Sequence, residues 1–500
     1  MPVQPTPSEG SSVTPGATTS DDHQRVWTPR LVLGLVSIVL LLEVLAISYL
    51  MISTALPFIV THYQTTQGAW LLTAFLLTGA VTAPVIGRLS DMFGKRRLLL
   101  ACVALAAAGC LLSAIAPSYG VMIAGRALAG FLVPCLFLGY SLIRDVFPPK
   151  AVALAVSIAT TGMGLVAVPA PFLTGWLIDD FGFRSIFWFL FAVVVAIGFA
   201  ILVTVDESPL RVRTTVDLVG AVLLGAGLAG VLVGVSFGPS WGWTAASTLT
   251  YLLGGAALLM AWLVSARTVA APLVDLDVLR RRPVYLTTIS AGVAYGISGL
   301  FAVLLPMMVM VPGIMGLGYG WGLSAEDFAL FQLPMVIAIV AGGLLVGVLV
   351  SRGFAPRLLM LAGLSLMAIG MLVVAFNHSE KSTIILGAVI LGLGQGMSYA
   401  AVPNLVIEAV SPTLQASTAS IVAVSQSIFP AVLSVVAFTV LNNSHVAMVA
   451  QGATFYDSDG FTVAFVIGAI VSVVGALTAL AMPRRATDEI AETAGVLGAA

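Results

Sequence analysis

Apolar residues along this chain neither recur with the period of an amphipathic helix nor alternate as in a half-buried strand. They come in long continuous runs, cut at intervals by short clusters rich in charge, Pro and Asn. A helix rises 1.5 Å per residue and a bilayer core is about 30 Å thick, so roughly 20 apolar residues make one crossing. Fourteen runs reach that length, near 31–57, 68–88, 98–116, 120–142, 151–175, 184–204, 217–237, 247–266, 286–310, 329–350, 357–376, 383–405, 419–440 and 462–482. The breaks carry turn signals, among them Ala116-Pro117-Ser118, Phe147-Pro148-Pro149 and Asn442-Asn443-Ser444. A membrane β-barrel is excluded, because its strands alternate in segments of about 10 residues. The pattern predicts an all-α polytopic membrane protein with fourteen transmembrane helices.

Composition agrees. Charged residues make up 9% and hydrophobic residues 59% of the 500, with mean hydropathy +1.09. A soluble domain carries about 25% charge, and a disordered chain needs low hydrophobicity, so neither class fits. Net charge is -1, which offers no basic footprint for nucleic acid. Cys102, Cys110 and Cys135 lie in apolar runs without ligand spacing, and the four histidines are scattered, so no metal and no cofactor are expected. Residues 1–29, rich in Pro, Ser and Thr, read as a disordered tail without the basic start of a signal peptide, and 484–500 as a second tail.

Lys and Arg concentrate in cytoplasmic loops. With fourteen spans, 18 basic residues fall on the side that holds both tails. Arg184 and Lys381 fall on the other, and Arg126 lies inside a span. This split predicts cytoplasmic termini, and scarce Lys beside common Arg hints at a GC-rich bacterium, so the expected location is a bacterial inner (plasma) membrane.

The chain also resembles itself. Gly130 and Gly394 are 264 residues apart, and at that offset Ile143–Pro148 lies over Ile407–Pro412. At a slightly different offset, Gly87 and Arg97-Leu98-Leu99 lie over Gly347 and Arg357-Leu358-Leu359. Spans 2 and 4 thus recur as spans 10 and 12, unless Gly-rich apolar helices match by chance. The expected organisation is 6+2+6: a six-helix bundle over 30–205, two inserted helices over 206–270, and a second bundle over 271–483. Repeated halves are how secondary transporters build alternating access, with the site near the midplane.

The loop after span 2 reads Gly87-Arg88-Leu89-Ser90-Asp91-Met92-Phe93-Gly94-Lys95-Arg96-Arg97. Gly87 permits close helix approach, Asp91 can pair with arginines or a helix N-terminus, and Gly94 allows a tight turn. The loop resembles the signature of the major facilitator superfamily, Gly-x-Leu-x-Asp-x-x-Gly-[Arg/Lys]-[Arg/Lys]. The resemblance implies that Gly87, Asp91, Gly94, Lys95, Arg96 and Arg97 latch the cytoplasmic gate. Arg126-Ala127-Leu128-Ala129-Gly130 is similar to the family's Arg-x-x-x-Gly motif. In span 5, Gly162, Gly164, Pro169, Pro171 and Gly175 resemble its antiporter motif, although Ala170 and Thr174 replace two glycines. Ala55-Leu56-Pro57 and the fourteen-span count are similar to the drug:proton antiporter branch.

Of 22 acidic residues only Glu43 falls deep in a span, 12 residues or about 18 Å from Leu31. An intramembrane acid is a candidate for function, here reversible protonation. Many relatives in the branch carry Asp nine residues before the Ala-Leu-Pro proline, where this chain has Ser48, about 140° around the helix from Glu43. Two readings of Glu43 stay open: proton coupling, or a static ion pair with Arg126. Arg126 itself is either buried or snorkelling to the interface. Tyr49, Phe75, Phe137, Tyr140, Tyr295, Phe301, Gln395, Tyr399 and Asn404 are candidate lining residues for a lipophilic, neutral or singly cationic substrate.

The expectation is therefore a monomeric transporter, not an enzyme, that exports lipophilic drugs in exchange for protons by alternating access, a multidrug efflux and antibiotic-resistance function. An uptake symporter, a dedicated exporter of an endogenous lipid or metabolite, and a non-transporting sensor or scaffold are the rivals.

Overall fold

The computed structural model of the chain describes residues 28–148, 155, 169–209, 217–269, 272, 274, 276–313, 316–377, 379–409, 415–450 and 453–483. Residues 1–27 and 484–500 of the expected tails, Gly162 and Gly164 lie outside them, as does most of the fifth expected span, while Thr28 and Pro29 already belong to the start of the first helix. Thirteen segments among the described residues are long and apolar enough to cross a membrane.

The first half contains α1 (Pro29–Tyr63), α2 (Trp70–Phe93), α3 (Lys95–Ala114), α4 (Tyr119–Ala129), α5 (Leu132–Val146), α6 (Pro169–Phe181) and α7 (Arg184–Thr204). Span 4 is thus divided at Gly130-Phe131 into α4 and α5. Two long helices follow, α8 (Leu218–Trp241) and α9 (Ala246–Thr268), then a single turn, α10 (Leu276–Leu279). The second half is α11 (Arg282–Val309), α12 (Ala325–Ser351), α13 (Pro356–Phe376), α14 (Lys381–Ala409), α15 (Gln415–Ser444) and α16 (Ser458–Leu480).

Helix ends follow local chemistry. Thr28 caps α1 by accepting from the Leu31 N–H at 3.3 Å, with Pro29 in the first turn, where its missing N–H costs nothing. Gly94 separates α2 from α3 at φ 118°, a conformation that only glycine adopts freely. The Asn442-Asn443-Ser444 break expected near 440 is instead the last turn of α15. It leads into an antiparallel hairpin, β1 (Val446–Ala450) and β2 (Ala453–Tyr456). The helix continues because Asn442 is occupied elsewhere: its Nδ2 donates to the Thr66 carbonyl at 2.9 Å and its Oδ1 accepts from the Tyr456 hydroxyl at 2.9 Å.

Helix neighbours repeat between the halves. In the first, α3 packs on α4 and α7, α2 on α4 and α5, and α1 on α7; in the second, α13 packs on α14 and α16, α12 on α14, and α11 on α16. The close approach of Gly109 to Gly125 between α3 and α4 recurs as Gly370 to Gly387 between α13 and α14. Small residues let helix backbones meet where lipid tails give no hydrophobic drive. The halves meet along three seams: α1 on α11, α2 on α15, and α6 on α12. The inserted α8 lies over both α2 and α15, and α9 packs on α8. Leu253, Met260 and Val264 of α9, with Phe199, Val222, Leu344 and Leu477 elsewhere, stay exposed as a lipid-facing surface demands.

Candidate functional site

Glu43 sits near the middle of α1 and is 2% exposed, and its Oε1 has no hydrogen-bond partner. The ion pair with Arg126 is not formed. Arg126 is fully buried on the other face of α1, which also rules out snorkelling. Its Nε donates to the Leu71 carbonyl at 3.2 Å and its Nη1 to Ser48 Oγ at 3.3 Å. The guanidinium lies 4.5 Å from the Phe75 ring centroid, and Nη2 has no partner. Ser48, at the position where the branch carries an acid, therefore meets the buried arginine, while Glu43 is turned away. The roughly 140° between the two positions accounts for the separation. A desolvated cation–π contact contributes about 2 kcal/mol, which offsets part of the cost of burying the charge.

Six helix positions away along α1 from Glu43, Tyr49 places its hydroxyl over Gly299 of α11, where an added Cβ would lie 2.8 Å from it. Tyr295 of α11 and Tyr399 of α14 stack with centroids 4.0 Å apart. Tyr49 lies near Tyr399, and Tyr140 of α5 near Tyr295. Four of the expected lining residues thus form one cluster that crosses the midline between the halves, with two tyrosines from each. Gln395 stands beside Tyr399 and Ser434 beside the Tyr49 hydroxyl, and Gln395 Oε1 is buried without a partner. Such a wall can stack flat apolar groups and offers a polar atom to orient them.

Four other candidates lie elsewhere. Phe301 is fully buried inside the second half, 5.9 Å from Phe465 of α16, so it packs that bundle. Asn404 turns its Nδ2 to the Ala400 carbonyl of its own helix at 2.9 Å. Phe75 is 1% exposed and supports Arg126. Phe137 lies against Gly87.

The basic loop is organised by acids that the sequence reading did not single out. Lys95 Nζ and Asp145 Oδ2 are 2.5 Å apart, with side chains 6% and 2% exposed, and Ser208 Oγ donates to the same oxygen at 2.8 Å. Glu207 accepts from the Arg96 and Arg97 N–H groups at 2.9 and 3.1 Å, which places an anion at the N-terminus of α3. Arg88 donates to the Pro272 carbonyl at 2.5 Å, across to the segment that leads into α11. Asp91 forms no ion pair among the described residues. Of the span-5 residues, Pro169 and Pro171 belong to α6, and Gly175 is where α6 meets α12. No group of His, Cys, Asp and Glu that could hold a metal occurs among the described residues.

A crystal structure of a bacterial homologue of the human lysosomal transporter Spinster, in an inward-facing and unoccupied conformation, superposes with TM-score 0.63 at 16% identity, covering 91% of this chain and 97% of that one. A probable actinorhodin transporter of Streptomyces coelicolor is 28% identical over 407 residues, 77% of this chain and 68% of that protein. A multidrug resistance protein B homolog of Mycobacterium tuberculosis is 28% identical over 490 residues, 92% of this chain and 87% of its own. A sequence profile of the Major Facilitator Superfamily matches residues 37–432 and, overlapping, 328–497. With paired bundles, the loop at Gly87–Arg97 and a match across most of its length, the chain is a multi-pass membrane transporter that belongs to the Major Facilitator Superfamily.

Proposed function

We propose that this transporter exports lipophilic drugs or related small molecules from a bacterium in exchange for protons. It acts in the plasma membrane as a monomer with both termini in the cytoplasm, and the proton gradient is its only energy source. The observation that carries the reading is Glu43, an acid deep in the bundle whose carboxyl oxygen makes no hydrogen bond. A group so placed is costly to keep unless it works. The tyrosine cluster between the halves supports an aromatic or otherwise flat apolar cargo. The multidrug-resistance and actinorhodin relatives support export of such compounds. The Lys/Arg excess at the Lys95–Arg97 end supports the orientation.

The test is transport by the purified full chain in proteoliposomes with an imposed pH gradient and ethidium as probe. Molecules whose cytoplasmic face points outward are expected to accumulate dye in acid-inside vesicles, and a protonophore should abolish this. Accumulation only in alkaline-inside vesicles would identify a symporter and reject the proposal.

A further inference from the structure

The outer end of the bundle, away from the Lys95–Arg97 loop, holds a contact between the halves that neither the family signature nor the drug-export reading contains. Asp179, in the last turn of α6, places Oδ1 3.0 Å from the Ala325 N–H and Oδ2 2.8 Å from the Glu326 N–H. These are the first two backbone donors of α12, in the opposite half. The third, Asp327 N–H, donates to Ser324 Oγ at 3.0 Å. A helix start leaves its first N–H groups without partners inside the helix. Here Ser324 supplies one acceptor locally, and the other two come from a residue 146 positions earlier in the chain.

A second, independent feature fits this contact. Gly175, one turn before Asp179, faces the same N-terminus. A Cβ at that position would lie 2.5 Å from Glu326 Cα and 2.8 Å from the Ala325 carbonyl oxygen. Only glycine lets the two backbones come close enough for a short aspartate side chain to span the seam. The like charges of Glu326 and Asp327 beside Asp179 would favour separation, and the aligned N–H groups of α12 offset them.

We propose that Asp179 is an outer-gate latch: its carboxylate caps α12 across the seam and holds the outer ends of the two halves together. Opening to the outside breaks both hydrogen bonds and leaves two N–H groups of α12 to water. The Asn442–Thr66 hydrogen bond bridges the α2–α15 seam at the same end, so two seams are tied there by a side chain to backbone contact. The latch does not depend on which compound is carried.

The experiment measures the distance between spin labels at Gly120→Cys and Ser379→Cys, exposed outer positions at or just before the starts of α4 and α14, in lipid nanodiscs. The three native cysteines are buried and stay unlabelled. Asp179→Ala is expected to raise the ratio of the long-distance to the short-distance population by about five-fold, the typical effect of losing a helix cap. Asp179→Asn, which keeps one acceptor oxygen, should give a smaller rise in the same direction, and it carries the test if the alanine variant does not fold. Asp180→Ala, which removes the neighbouring surface charge, should leave the ratio unchanged. An unchanged distribution in the Asp179 variants, or an equal shift in Asp180→Ala, would overturn the latch.

Discussion

Replacing Glu43 by Gln is expected to reduce gradient-driven accumulation of ethidium to the level of protein-free vesicles, while exchange of dye down its own gradient continues. Gln has nearly the shape of a protonated Glu but cannot release a proton. Among the described residues Oε1 has no hydrogen-bond partner and the carboxyl forms no ion pair, so the substitution leaves no buried charge and opens no cavity. Folding should therefore be unaffected, which monodisperse elution and an unchanged unfolding midpoint would check. Transport at full rate in the Gln variant under the same gradient would remove Glu43 from the coupling step. A static ion pair predicts something else: its loss would strand Arg126 and lower stability. The structure gives that role to Ser48, Leu71 and Phe75, so Glu43→Gln and Arg126→Leu should act separately, the first on coupling and the second on packing.

The second large effect concerns the loop at Lys95. A cation at a helix N-terminus and an anion at a helix C-terminus are each placed against the helix dipole. Lys95 opens α3 and Asp145 lies in the last turn of α5, so each opposes its own helix dipole; Asp145 is the counter-charge of Lys95, and is itself held by Lys95 together with Ser208 and Arg144. Asp145→Ala leaves a nearly buried ammonium without a counter-charge, and breaking such a pair costs about 3–5 kcal/mol. The double variant Lys95→Met with Asp145→Leu removes both charges, and it should recover most of that loss. Denaturation of the original chain, Lys95→Met, Asp145→Leu and the double variant in one detergent would measure the coupling. Additive losses would show that the pair contributes nothing beyond its separate charges.

Thirteen of the fourteen expected spans were legible because a bilayer crossing is a local property: about twenty apolar residues suffice, whatever they pack against. The two-half organisation was legible because loop positions such as Arg97 and Arg357 repeat along with the helices. Which face a residue presents was not. The helices are apolar nearly all round, so no polar stripe marks the side that meets the other half. That is why Phe301 and Asn404 read as lining residues although one packs against Phe465 and the other bonds its own helix, while Tyr49, Tyr140, Tyr295 and Tyr399 do come together. Long-range polar partners were hidden for another reason. Asp145, Glu207 and Asp179 are single acids at helix ends, and only the fold reveals that their partners are α3 and α12. The hairpin at Val446–Tyr456 is two short strands between long apolar helices, too brief for alternation to stand out.

Proton release on binding probes the coupling carboxyl with the fewest intervening steps. Ethidium is added to the purified transporter in weakly buffered detergent solution, and the pH change is followed in the original chain and in Glu43→Gln. The account predicts proton release from the original chain that saturates with dye binding, and none from the Gln variant although dye still binds. Equal release from both would contradict it.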